Sequence, residues 1–305
     1  MSHRALVPLA FAAAVLALAP AVEAGGHHQS ISIHDNDGSA FTCGSSRIRF
    51  GDEETARGEE TLTASARVPL SVRAPENGGI RVQGWDRNDF SITACKAAGG
   101  DDAEGAGHAL GAVSVSLSGD ELTAKGPRGG NWVVFFLVQA PKGSSLRLDA
   151  TNGPISIRDF DGTARVHTVN GPVSLARASG DVKVEAVNGP ITLKDGSGDQ
   201  RLRAQNGPIS VSLSSARWEG AGLDAHTENG PVTLRVPDGF DSGVSLRTSS
   251  HSSMRCRAAQ CQTARRDFRD DDDEAGKSIE FGGGATVVRL STVNGPVSVE
   301  GRSGE

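Results

Sequence analysis

The tripeptide Asn-Gly-Pro occurs six times, and four copies, beginning at Asn152, Asn170, Asn188 and Asn206, are spaced 18 residues apart. Two more begin at Asn229 and Asn294. A fixed period of this size marks a chain that winds and stacks on itself, because one repeat alone cannot bury its apolar face. The windings divide into nine-residue halves such as NGPISIRDF, DGTARVHTV, NGPVSLARA and SGDVKVEAV. Each half opens on a turn pair, Asn-Gly, Asp-Gly or Ser-Gly, and continues as a short alternating segment, the pattern of a half-buried strand. Glycine supplies the positive φ of a corner and asparagine tolerates the left-handed region. Proline then stands at the first residue of a strand, where its missing N–H does least harm. These six asparagines are therefore read as structural turn residues.

Counted from each Asn, position +3 holds Ile155, Val173, Ile191, Ile209, Val232 and Val297, and position +5 holds Ile157, Leu175, Leu193, Val211, Leu234 and Val299. Position −4 holds Leu148, Val166, Val184, Leu202, Ala225 and Leu290, and position −2 holds only Ala and Thr. Alternate residues of a strand share a face, so these columns form the interior. The intervening columns face outward. Position −5 lines up Arg147, Arg165, Lys183 and Arg201, then Asp224 and Arg289; position −3 holds Asp149, His167, Glu185, Arg203, His226 and Ser291. Position +4 is a hydroxyl throughout, from Ser156 to Ser298, suited to hydrogen-bond ladders. Two readings of the −5 column stand side by side. It is a solvated, mixed-charge face, or Arg147, Arg165, Lys183 and Arg201 form a stripe for an anionic polymer such as acidic polysaccharide or lipid headgroups.

Residues 1–24 have the form of a secretory signal: Arg4, an apolar run from Ala5 to Ala19, a break at Pro20 and a small-x-small site ending at Ala24. That run is too short to span a bilayer, and no second one follows, so no transmembrane segment is expected after the signal is removed. Four cysteines, Cys43, Cys95, Cys256 and Cys261, suit two disulfides in an exported chain. The closeness of Cys256 to Cys261 favours a local loop, although three pairings are open. The net charge of −6, with no strongly basic block, argues against nucleic acid as a partner. Sugar-binding surfaces use exposed aromatic platforms. The regular repeats carry almost none, which leaves Trp218 as the best single candidate, while Trp85 and Trp132 sit among apolar neighbours.

The expected order along the chain is a polar, irregular segment over 25–60, followed by one elongated β-repeat domain over 61–305. Within that domain the strands before about residue 140 are less regular, residues 97–109 form a Gly-rich loop, and Val133 to Val138 is a strand buried on both sides. Regular coils run over 144–234, an exposed insertion with two cysteines and the acid run Asp270 to Glu274 over 250–276, and a final coil over 277–305. The fold class expected is an all-β β-solenoid of 18-residue, two-strand coils, with less regular strands at its N-terminal end.

The segment VVFFLVQAPKGSSLRLDATNGPISI, Val133 to Ile157, has the order strand, Pro-x-Gly, strand, Asn-Gly, strand. With NGGIRVQGWD upstream, Asn77 to Asp86, it resembles the bacterial putative-adhesin family of β-strand repeat proteins, a domain of unknown function. The resemblance covers roughly residues 60–300. It implies architecture and an adhesion label, and it supplies no catalytic residues.

Three functional classes follow. The first is an exported, non-enzymatic surface or envelope protein, in the periplasm, on the cell surface or outside the cell, that binds anionic polysaccharide, an envelope component or a partner protein and needs no cofactor. The second is a carbohydrate-active enzyme on a β-helix, with His167, Glu185 and Arg203 adjacent in one column. The third is a periplasmic Cu/Ni-binding protein: cleavage after Ala24 exposes Gly25-Gly26-His27, whose amine, amides and imidazole suit a square-planar ion. Motifs for a Ser nucleophile elbow, a zinc protease helix and a phosphate-binding loop are missing from the sequence.

Overall fold

The structure, a computed structural model, describes residues 29–33, 41–66, 68–267 and 276–302. The strands gather into a 12-stranded and an 11-stranded sheet, with a separate pair, Gln29–Ile33 against Ser46–Phe50. From Ser144 onward the chain alternates between the two large sheets. Strands Ser144–Asn152, Asp161–Asn170, Ser179–Asn188, Asp199–Asn206 and Gly222–Asn229 lie side by side in the 12-stranded sheet. Between them, Ile155–Arg158, Val173–Ala176, Ile191–Lys194, Ile209–Ser212 and Val232–Val236 enter the 11-stranded sheet. All these neighbours are parallel. Leu148 pairs with Val166, Val166 with Val184 and Val184 with Leu202, while Ile155, Val173, Ile191 and Ile209 stack in the other sheet.

The interior is the space between the sheets. Every residue of the +3, +5, −4 and −2 columns is buried there, including Thr168, Thr227 and Thr292. A further column, two residues before the −4 position, joins them: Leu146, Ala164, Val182, Gln200, Leu223 and Val288 are all buried. Each aliphatic side chain taken wholly out of water contributes roughly 1.5–3 kcal/mol, so a one-residue slip in register, which would turn these columns outward, is strongly disfavoured.

At the corner after each long strand the asparagines form a ladder. Asn170 Nδ2 donates to Asn152 Oδ1 at 2.9 Å, and the same bond links Asn188 to Asn170, Asn206 to Asn188, Asn229 to Asn206 and Asn294 to Asn229 at 3.0 Å. Asn77 extends the ladder, accepting from Asn152 at 3.4 Å. The glycine that follows each asparagine has a different role from the one its turn chemistry suggests. Among the six, φ is positive only at Gly189 and Gly230, both near 150°. The shared constraint is close approach: a Cβ on Gly171 would lie 2.2 Å from the carbonyl oxygen of Gly153 in the winding beneath. The opposite corner takes left-handed backbone at Asp159, Arg177 and Asp195, with φ of 52°, 49° and 52°.

Both ends of the stack depart from sequence order. Leu70–Arg73 and Gly78–Trp85 form a winding against Ser144–Arg158, with Leu70 beside Leu146 and Ile80 beside Ile155. The next segment, Glu121–Lys125 and Trp132–Pro141, lies on the far side of that winding. At the other end, Gly283–Asn294 and Val297–Gly301 are wedged between the winding of Gly222–Val236 and a winding made of Ser242–Thr248 and Met254–Cys256. Lys277–Phe281 runs antiparallel along the outside of Ser242–Thr248. The chain then steps across the start of that strand at Gly282, where φ is 85° and a Cβ would lie 2.0 Å from the Ser242 carbonyl oxygen. The final coil is thus next to last in space. The segment expected as an exposed insertion forms the end of both sheets through Met254–Cys256 and Arg265–Asp267. Sequence order cannot reveal this, because a strand pairs equally well with neighbours on either edge.

Two other segments differ from expectation. Residues 54–60 belong to a long strand, Glu54–Ser65, antiparallel to Asp89–Gly100. The Gly-rich stretch after residue 100 is a helix, Ala103–Gly111, whose N-cap Asp102 accepts from Gly105 N–H at 2.7 Å. The cap and the packing of Ala106 over Gly100 outweigh the cost of three glycines. Val133 to Val138 is buried on both faces: Val134, Phe136 and Val138 enter the main core, and Val133, Phe135 and Leu137 pack beneath Ile48 and Phe50 in a second, smaller one.

Candidate functional site

The long strands expose one face of the 12-stranded sheet, and the register places Arg147, Arg165, Lys183, Arg201 and Asp224 in line. The neighbouring acids interrupt the stripe. Arg165 Nη2 donates to Asp181 Oδ2 at 2.5 Å and its Nη1 to the Asp181 carbonyl oxygen at 2.9 Å. Arg201 pairs with Asp199 at 3.2 Å. Arg203 grips both oxygens of Asp224, at 3.1 and 2.6 Å. The hydrogen bond from Arg165 holds the Asp181 carboxyl below the usual carboxylate range, against partial desolvation, with help from the charges of Lys183 and Arg201. Arg203 does the same for Asp224, helped by Arg289 and His226. Among the described residues Arg147 and Lys183 make no ion pair.

His167, Glu185 and Arg203 also stand in register. Arg203 is committed to Asp224, and the next histidine, His226, shares a 2.8 Å hydrogen bond with Ser291. A cleft of about 400 Å³ near the end of this face is lined by both signs, Arg247 and Arg289 with Asp224 and Glu280. Charge on this face is therefore abundant and largely answered locally.

The outer face of the 11-stranded sheet is built differently. Its strands are four or five residues long in the regular windings, so few positions point outward. The hydroxyls Ser156, Ser174, Thr192, Ser210, Thr233 and Ser298 stack in register, and Ser298 donates to Thr233 at 3.1 Å. The prolines of the Asn-Gly-Pro corners run beside them. At the C-terminal end the column meets Arg255, which pairs with Ser298 across the last strand. There a groove of about 290 Å³ is lined by Arg255 and Arg257 with Ser253, Ser298, Pro231 and Pro296. Glu300, the acid in this groove, is taken by Arg235 at 2.9 Å.

The disulfides are Cys43–Cys95 and Cys256–Cys261. The first ties the segment carrying Phe41, Ile48 and Phe50 to the outer surface of the 11-stranded sheet; the second closes a loop around four residues, 257–260, with Arg257 inside it and Arg255 just before it. Trp218 is not a platform: it is buried, and its indole N–H donates to the Gly198 carbonyl oxygen at 3.1 Å. The extra residues before Gly222 let it fold over the core, an outcome that local polarity conceals. Trp85 and Trp132, read as core, are half-buried, with indole N–H bonds to Asp89 and Pro127 carbonyl oxygens.

Gly25, Gly26 and His27, the signal segment and the acid run Asp270 to Glu274 lie outside the described residues. Among the described residues no group of three or more His, Cys, Asp or Glu is placed to hold a metal ion, and no helix is long and apolar enough to cross a membrane. The groove at Arg255 and Arg257 was missed from the sequence. Its signal is the tripeptide Arg-Cys-Arg, in which a half-cystine turned inward leaves two cations outward.

No family model matches the chain, and no curated protein matches it. Three solved bacterial structures are similar to it. They are a putative cell adhesion protein of Clostridium sporogenes (10% identity, TM-score 0.31, 81% of this chain and all of that one), a putative adhesin of Bacteroides fragilis (11%, 0.36, 82% and 97%) and a putative adhesin of Parabacteroides distasonis (11%, 0.28, 82% and 98%). Two are named putative adhesins and the third a putative cell adhesion protein, in line with the family that the chain's motifs resemble. TM-scores this low transfer no residue roles and no function.

Proposed function

We propose that this chain is an exported β-solenoid, elongated along the stacking axis, that serves as a non-catalytic, adhesin-like binding or structural element of a cell surface or envelope. The observation that carries the reading is the column-by-column register. Nine parallel layers, each with one strand in either sheet, stack equivalent positions at about 4.8 Å, six of them with the Asn-Gly-Pro repeat, so the outer faces offer a one-dimensional lattice. Such a lattice suits an extended repeating partner better than a small substrate, which calls for a concave site. Two disulfides favour an oxidising compartment, in keeping with export. On the 12-stranded face, Arg147 and Lys183 are the members of the proposed cation stripe that make no ion pair among the described residues, and they are its contacts with anionic polymer.

The test is a glycan and lipid array probed with the mature protein, followed by analysis of the bound glycans. Retention of intact polysaccharide that weakens with salt supports a binding role. Release of shortened chains, abolished by His167→Ala, would instead establish the carbohydrate-active enzyme. Mass spectrometry of the mature N-terminus decides the copper or nickel alternative, since any start other than Gly25 removes that site.

A further inference from the structure

We propose that the groove at the C-terminal end of the 11-stranded sheet binds the carboxylate or sulfate groups of an acidic polysaccharide. Arg255 and Arg257 hold the anion, and the adjoining proline and hydroxyl columns guide the sugar chain. The inference deepens the binding role proposed above and rests on it, but places the contact on the opposite face from the Arg147–Lys183 stripe.

The first argument is charge. Three arginines near this end have an acid: Arg217 has Asp241, Arg235 has Glu300 and Arg302 has Asp195. Arg255 and Arg257 are exposed, and among the described residues neither guanidinium has an ion pair or hydrogen bond. Because Glu300 is neutralised by Arg235, the groove keeps, among the described residues, two positive charges without an acid partner.

The second argument is construction. Met254–Cys256 is only three residues long and lies at the edge of its sheet, yet it is held by strand pairing on its inner side and by a disulfide. Met254, Arg255 and Cys256 pair with Val297, Ser298 and Val299. Val297 N–H donates to the Ser253 carbonyl oxygen at 2.9 Å, and Arg257 N–H to that of Val299 at 2.8 Å. Cys256 is then bonded to Cys261, which is buried. Two residues apart on an extended backbone, the arginines project to the same side at about 6–7 Å spacing. Their planar forks match carboxylate and sulfate oxygens pairwise, which an ammonium group does not.

The third argument selects the ligand class. The surface leading into the groove offers rows of C–H and O–H groups, from Pro231 and Pro296 and from Thr233 and Ser298. Sugar rings present the same alternation of C–H and O–H. The described lining has no large exposed apolar side chain to enter a bilayer, and paired arginine forks beside hydroxyls suit the charged groups of an acidic glycan, whose binding by ion pairs needs no aromatic platform.

The experiment measures binding of the mature, disulfide-bonded protein to polygalacturonate and dextran sulfate, with neutral dextran and anionic phospholipid vesicles as controls. Wild type is expected to bind both acidic polymers, more weakly as salt rises. Arg255→Ala/Arg257→Ala should lose at least tenfold in affinity, and Arg255→Lys/Arg257→Lys several-fold, while Lys125→Ala/Arg128→Ala, exposed cations toward the other end of the molecule, retains wild-type affinity. Cys256→Ser/Cys261→Ser should weaken binding with its circular dichroism unchanged. Equal binding by the Arg255→Ala/Arg257→Ala variant overturns this site and leaves the broader role standing. Failure of wild type to bind either polymer overturns both, and capture by vesicles but not by the polymers overturns the glycan assignment.

Discussion

The two outer faces are made by one repeat, yet they carry charge at different densities. On the 12-stranded face the windings contribute long strands, so arginines and aspartates fall close together and pair across and along the sheet, as Arg165 does with Asp181 and Arg203 with Asp224. On the 11-stranded face the strands are short, the outward positions are mostly proline and hydroxyl, and two unpaired arginines sit at one end. A column of like charges is thus a poor guide to a binding face when the next column carries their partners. A sparse face with few but unanswered charges presents more field to a ligand.

The sharpest way to break the comparison is to remove what both faces share. Gly171→Ala puts a methyl group 2.2 Å from the Gly153 carbonyl oxygen and must push two windings apart. A loss of about 2–4 kcal/mol is expected in chemical denaturation. Unchanged stability would show that the corners stack less tightly than described.

A smaller effect separates two threonines that line the interior of the 12-stranded sheet. Thr227 donates its hydroxyl to the Gly207 carbonyl oxygen at 2.9 Å, whereas the buried Thr168 hydroxyl has no protein partner. Thr227→Val is expected to cost about 1 kcal/mol and Thr168→Val to gain up to about 1 kcal/mol. Denaturation midpoints that move in the same direction for both variants would contradict the assignment.

The paired face is open to a pH test. Asp224→Asn should cost about 0.5–1 kcal/mol at neutral pH, because both partners are well exposed. The Asp224 carboxyl titrates below its unfolded value near 3.9, so its contribution is complete above about pH 5 and is lost as pH falls through the lowered folded value. The stability gap between wild type and Asp224→Asn should therefore close at acid pH, and a gap that persists below pH 2 would rule out the pair as its source. The smallest effect is expected for Arg147→Ala/Lys183→Ala, within about 0.5 kcal/mol of wild type, since neither side chain makes an ion pair among the described residues and the influence of Lys183 on Asp181 is only that of a nearby charge.

Much of the architecture was legible because a strict period leaves little freedom. Once Asn152, Asn170, Asn188 and Asn206 are seen to be equally spaced, the aliphatic columns follow, and Ile155, Val173, Ile191 and Ile209 do stack in register and lie fully buried. Asn77, which opens the upstream segment NGGIRVQGWD, joins the asparagine ladder through Asn152. The binding face was not legible in the same way. Whether a charged residue is answered depends on its neighbour across the sheet and on side-chain reach, which put Asp181 on Arg165 but left Arg255 and Arg257 open.

The sequence by itself determined the period, the interior columns and the positions of the corners, because these are set by local alternation and by residues with restricted backbones. Only the tertiary structure decided the order of the layers at the two ends, where the last segment of the chain is wedged one winding inward and Met254–Cys256 becomes the outer edge. The physical reason is that strand pairing satisfies the same backbone hydrogen bonds whichever edge is chosen. The choice rests on long-range packing, here the closure of Cys256 on Cys261 and the crossing at Gly282, which no local pattern encodes.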